Sequence, residues 1–125
     1  MAPFAGFICN EEPGSGRPMG ESILRRLAAE KPVDLVNLAF HGRLGPADLT
    51  YVAETLGLLE DKGLATSALT QLARHPHPMV REGVVLGAAQ LGGDEALALI
   101  GDMAKQDPSA IVRGVAADAL DALAE

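Results

Sequence analysis

The chain repeats itself. Laying Val112-Arg113 over Val80-Arg81 gives an offset of 32 residues (112 minus 80), and the register then holds through Leu123 and Leu91. After the shared pair, one unit reads Glu82-Gly83-Val84-Val85-Leu86-Gly87-Ala88-Ala89-Gln90-Leu91 and the next Gly114-Val115-Ala116-Ala117-Asp118-Ala119-Leu120-Asp121-Ala122-Leu123. One period earlier stand Asp48-Leu49, followed by Val52-Ala53, Leu56 and Leu59 in the same slots. A unit of this length cannot bury its own apolar face, so neighbouring copies must stack and share a core. That requirement excludes most other ways of folding the chain.

Each copy has a second half. Residues 33–43, 64–74 and 96–106 space their apolar positions by three and four, the mark of a helix with one buried face. The unit is therefore a helical hairpin, with copies over about 32–62, 63–93 and 94–125. Punctuation repeats with it. Pro46 and Pro78 suit a first helical turn, with Gly45 and His77 in the cap slot and Ser109 as the cap of the third copy. Gly63 and Gly92-Gly93 are expected to close helices, and Asp94 to cap the next one. Aromatic residues make up 3% of the chain and tryptophan is absent, so the core must come from small side chains on closely packed helices.

The pattern Val-Arg-x-x-apolar-apolar-x-small-x-x-x-Leu, over Val80–Leu91 and again over Val112–Leu123, resembles the second helix of HEAT repeats, in particular the short phycobilisome-lyase type. The resemblance covers roughly residues 32–125. The first copy departs from it, with Asp48-Leu49 in place of Val-Arg. What it implies is an all-α fold, a right-handed α-solenoid of about three hairpins whose second helices line the inner surface. The variable positions projected onto that surface are Tyr51, Glu54 and Leu58; Glu82, Leu86 and Gln90; and Val115, Asp118 and Ala122. These form the candidate partner-binding face, with Tyr51 as leading anchor. The resemblance makes Arg81 and Arg113 structural residues that tie neighbouring repeats through a carboxylate, and Asp107 is a candidate for that carboxylate.

Residues 1–20 follow another grammar, rich in glycine and proline with no helical period, and read as an extended arm. Phe4, Phe7 and Ile8, with Cys9, make an apolar patch that needs cover. Either the arm folds back over the open end of the first hairpin, or it anchors in a groove of another subunit, a route to a homo-oligomer. A short capping helix over 21–30 follows, with Ile23, Leu24, Leu27 and Ala28 on one side and Arg25, Arg26 and Glu30 on the other.

A formal charge of -7 argues against nucleic acid as a partner. One cysteine cannot make an internal disulfide, the first residues lack the basic cluster of a secretory signal, and no stretch is apolar enough to span a bilayer, so a cytoplasmic, membrane-free setting is expected. Chemistry finds little purchase. His75-Pro76-His77-Pro78 reads as a turn rather than a metal site, Cys9 lacks an activating base, and Glu11-Glu12 and Glu60-Asp61 read as solvated charge. Gly14-Ser15-Gly16 lacks the lysine and helix of a phosphate loop. No catalytic residue, cofactor or metal is expected. The expected function is a non-enzymatic protein–protein interaction module: an adaptor, an assembly component or a small acidic inhibitor. The alternative is a structural subunit of a larger assembly held by the arm, and a remote one is the chromophore handling that the lyase-type name suggests.

Overall fold

A computed structural model describes residues 21–124, and its described residues hold seven helices and no strand. They are α1 (Glu21–Glu30), α2 (Pro32–His41), α3 (Pro46–Leu56), α4 (Lys62–Leu72), α5 (Pro78–Leu91), α6 (Asp94–Gln106) and α7 (Ala110–Ala124). Helices α2–α3, α4–α5 and α6–α7 are hairpins, and the second helix of each begins at 46, 78 and 110, one period apart. The architecture is an α-solenoid of helical hairpins, and α1 packs across α2 and α3 at its start.

The helix ends follow from single side chains. Pro32, Pro46 and Pro78 sit in first turns, where a missing N–H costs nothing. His77 Nδ1 accepts the N–H of Met79, and Ser109 Oγ accepts that of Val112. Two expectations are corrected. Gly63 does not close a helix: Asp61 Oδ1 accepts the N–H of Leu64 at 3.0 Å, this cap starts α4 at Lys62, and Gly57 ends α3 instead. Asp94 is the first residue of α6 rather than its cap, because Gly92 and Gly93, at φ 72° and 92°, turn the chain before it. Its carboxylate still faces a helix N-terminus, where negative charge is favoured.

Every helix feeds one continuous core. Leu24, Leu35, Val52, Leu69, Val84, Ile100 and Val112, one from each helix in order, are fully buried. Packing between hairpins is uneven. A Cβ on Gly83 would lie 2.7 Å from the carbonyl oxygen of Thr50, and one on Gly87 would overlap the carbonyl of Ala53, so α3 and α5 touch through bare backbone. In contrast α2 and α4 scarcely meet. Second helices are packed tightly and first helices splayed apart, so the layer that the repeat resemblance assigns to the inner surface is the more closely packed of the two.

Candidate functional site

Arg81 and Asp107 lie at the junction of the second and third hairpins, and both are buried. The Arg81 Nε donates to Asp107 Oδ2 at 2.8 Å and its Nη2 to Oδ1 at 3.1 Å. Its Nη1 donates to the carbonyls of His75 and Pro76, at 2.8 and 3.1 Å. Asp107 Oδ1 also accepts the N–H of Ser109, and Arg113 Nη1 donates to the Asp107 carbonyl at 2.7 Å. Four of the five N–H groups of this buried guanidinium are thus bonded within the fold, which marks Arg81 as a structural residue. The cluster stitches the α4–α5 turn to the α6–α7 turn.

The inner-face positions fall on three adjacent helices of one layer. Leu86, at 47% exposure, stands free on α5 beside exposed Gln90 and half-buried Glu82. On α7, Asp118 and Ala122 are exposed and Val115 is half-buried. Tyr51 and Glu54 on α3, and Leu58 just after it, are half-buried, because α1 covers that end: with Glu21, Arg25 and Gln90 they line a crevice of about 60 Å³. Tyr51 is thus drawn into a wall shared with the capping helix. Burial, together with the neighbouring Glu21 carboxylate, raises the Glu54 carboxyl above its ordinary range.

Two apolar side chains outside the positions that the spacing selects add to this layer. Met79, 44% exposed, and Ile111, 68% exposed, occupy the same slot one period apart, in the first turns of α5 and α7. The 32-residue offset was signal enough to find them. The result is an apolar ridge of Met79, Leu86 and Ile111 flanked by Glu82 and Asp118.

Among the described residues, no cluster of three or more His, Cys, Asp or Glu side chains could hold a metal ion. The two histidines of the turn are engaged with backbone: His75 Nδ1 accepts the N–H of His77 at 3.0 Å, and His77 Nδ1 caps α5. Asp48 Oδ1 is buried without a hydrogen-bond partner, and burial raises its carboxyl above the ordinary value. No helix of the described residues is long and apolar enough to cross a membrane. The arm positions Phe4, Phe7 and Ile8, with Cys9, lie outside the described residues.

A family model for HEAT repeats matches residues 47–121, from the start of α3 to the last turns of α7. The match is to HEAT repeats in general, not to a subtype, and begins later than the 32–125 span of the resemblance. No curated protein and no solved structure matches the chain.

Proposed function

The chain belongs to the HEAT repeat family, and from that premise we propose that it is a non-enzymatic protein-binding module, an adaptor or assembly component, whose inner face receives a basic and apolar segment of a partner protein. HEAT repeats generally mediate protein–protein interaction. What carries the finer reading is the ridge of Met79, Leu86 and Ile111, exposed on adjacent helices and bordered by Glu82 and Asp118. Apolar anchors ringed by charge of one sign suit a protein segment of opposite charge, whereas DNA-binding arrays need lysine and arginine there. Arg81, Arg113 and Asp107 hold the scaffold in this reading. Tyr51, Glu54 and Leu58 form the end of the face that α1 partly covers, and Gln90 and Val115 complete its floor. The setting is cytoplasmic, where the single cysteine stays a thiol.

The test is affinity capture from the native host with the parent chain and with a Leu86→Asp, Glu82→Lys, Asp118→Lys variant. All three positions lie outside the buried core, so the variant should retain its helicity by circular dichroism while losing the partner. A partner retained at unchanged affinity removes the inner face from consideration.

A further inference from the structure

The 32-residue register compares the two junctions between hairpins. Arg43, His75 and Asp107 hold one slot in successive units, and Leu49, Arg81 and Arg113 hold another. Between the second and third hairpins the facing pair is Arg81 with Asp107, a closed ion pair at 2.8 Å. Between the first and second it is Leu49 with His75, which cannot pair. Each junction borders a cleft, about 380 Å³ here and about 300 Å³ at the next, and the lining sets them apart: Phe40, Leu44, Leu49 and Leu72 here, against Asp102, Met103 and Asp107 there. A second cleft of about 290 Å³, between α2 and α4, adjoins the first, with Phe40 and Gln71 lining both. The splay of the outer layer opens this groove.

The groove has a basic rim on a chain of charge -7. Arg43 and Arg74 border the first cleft, both are exposed, and among the described residues neither has an ion pair. Where the next junction carries a buried carboxylate, this one carries cations and an apolar wall. A ligand that completes it needs apolar side chains followed by acids.

That order is written in residues 4–12: Phe4, Phe7 and Ile8, then Glu11-Glu12. We propose that this segment of the same chain fills the groove, Phe7 and Ile8 against the wall of Phe40, Leu44 and Leu72, and Glu11 and Glu12 on Arg43 and Arg74. Length permits it. Glu21, where α1 begins, lines the crevice beside Tyr51 and Leu58, toward the C-terminal end of α3, and the groove opens at Leu49 near its N-terminal end. The 9 residues from Glu12 to Glu21 (21 minus 12) span up to about 30 Å when extended. The 11 residues of α3 rise about 16 Å, and crossing from one helix layer to the other adds about 10 Å, so the tether still reaches. Tethering supplies a local concentration on the order of millimolar, so weak apolar and ionic contacts suffice to seat the segment. A chain that caps its own groove with its arm leaves the inner face free, so this inference goes beyond the inner-face reading and does not depend on it.

Cys9, between the apolar and acidic residues, is a built-in probe. In the full chain, Gln71→Cys places a second thiol on the groove rim at an exposed site of α4, and Ala98→Cys places one on exposed α6 as the control. Under mild oxidation the Gln71→Cys chain should close an intrachain disulfide about tenfold faster than the Ala98→Cys chain, as tethered proximity predicts. Reversing Arg43 and Arg74 to Glu should slow closure roughly fivefold, and adding Glu11→Lys with Glu12→Lys should restore it. Circular dichroism checks that each variant is folded. Equal rates at the two sites, or charge reversal without effect, overturn the proposal. A disulfide-linked dimer assigns the groove to a second copy's arm and overturns it as well. The isolated chain is used throughout, so the outcome does not turn on whether the inner face binds a partner.

Discussion

Asp107 is the counter-charge on which the buried Arg81 depends. Its carboxylate accepts two bonds from Arg81 and one from the backbone of Ser109. Asp107→Ala would leave a buried guanidinium without its counter-charge, a loss of about 3–5 kcal/mol, read as a lower midpoint of urea unfolding. Asp107→Asn keeps an acceptor and should lose less; equal losses would mean that charge is irrelevant at this site. Glu54 supplies the pH-dependent counterpart. Burial and then Glu21 raise its carboxyl, so the folded state binds the proton more tightly than the unfolded chain does. Its stabilising contribution is fully present below the unfolded value and is lost as pH rises through the folded one. Glu54→Gln should therefore be more stable than the parent at neutral pH, with the gap closing as pH falls into the carboxylate range. His75, lowered chiefly by burial, acts in the opposite sense but is common to both proteins and cancels in the difference. A gap that widens on acidification would refute the assignment. The resemblance to HEAT repeats implied a carboxylate tie for Arg81 and Arg113 with Asp107 as a candidate; Arg81 makes that tie, whereas Arg113 bonds the Asp107 carbonyl instead. Glu54 was readable as a face position, but its contact with Glu21 was not, because the spacing does not say how α1 crosses α3.

At the scale of elements, glycines that look alike in the sequence do opposite work. Gly87 sits where a Cβ would overlap the carbonyl of Ala53, whereas a Cβ on Gly114 would meet nothing within 4 Å. Gly87→Ala must push α5 away from α3, at a cost of about 1–3 kcal/mol as for other overpacked cores. Gly114→Ala should instead gain about 1 kcal/mol from helix propensity alone. Thermal melts of the two variants should move in opposite directions, and a shift of the same sign would mean that the α3–α5 approach is looser than described. The hairpins and their order were legible because period, caps and prolines repeat together. Gly63 was misread because a glycine after an apolar run signals a stop only when no helix cap stands just before it, and Asp61, two residues earlier, is that cap. The open groove beside Leu49 could be suspected from the departure at Asp48-Leu49, but its size depends on how far α2 and α4 splay, which no local pattern encodes.

Stability in a stacked array is a sum over neighbours, so the whole molecule should not unfold evenly. Helix α5 touches both flanking hairpins and buries eight residues, among them Val80, Val84 and Val85; α3 buries five. The ends bury less: Leu24 and Ala28 in α1, Leu35 and Ala39 in α2, Val112 and Ala116 in α7. Lys62 adds a bond from α4 to the last turn of α5, its Nζ donating to the Leu91 carbonyl at 2.7 Å. Native-state amide exchange should therefore rank α5 as slowest and α3 next, with α1 and the exposed last turn of α7 exchanging through openings well below the global free energy. The tight inner layer, joined by the glycine contacts of α3 and α5, should open as one unit, because parting those backbones exposes Val52, Leu56 and Val84 together. Uniform protection from α1 to α7 would mean that the chain behaves as a single cooperative globule. The graded profile would place the candidate binding ridge of Met79 and Leu86 on the most rigid helix of the stack, where a partner meets side chains already held in place and little ordering remains to oppose its binding.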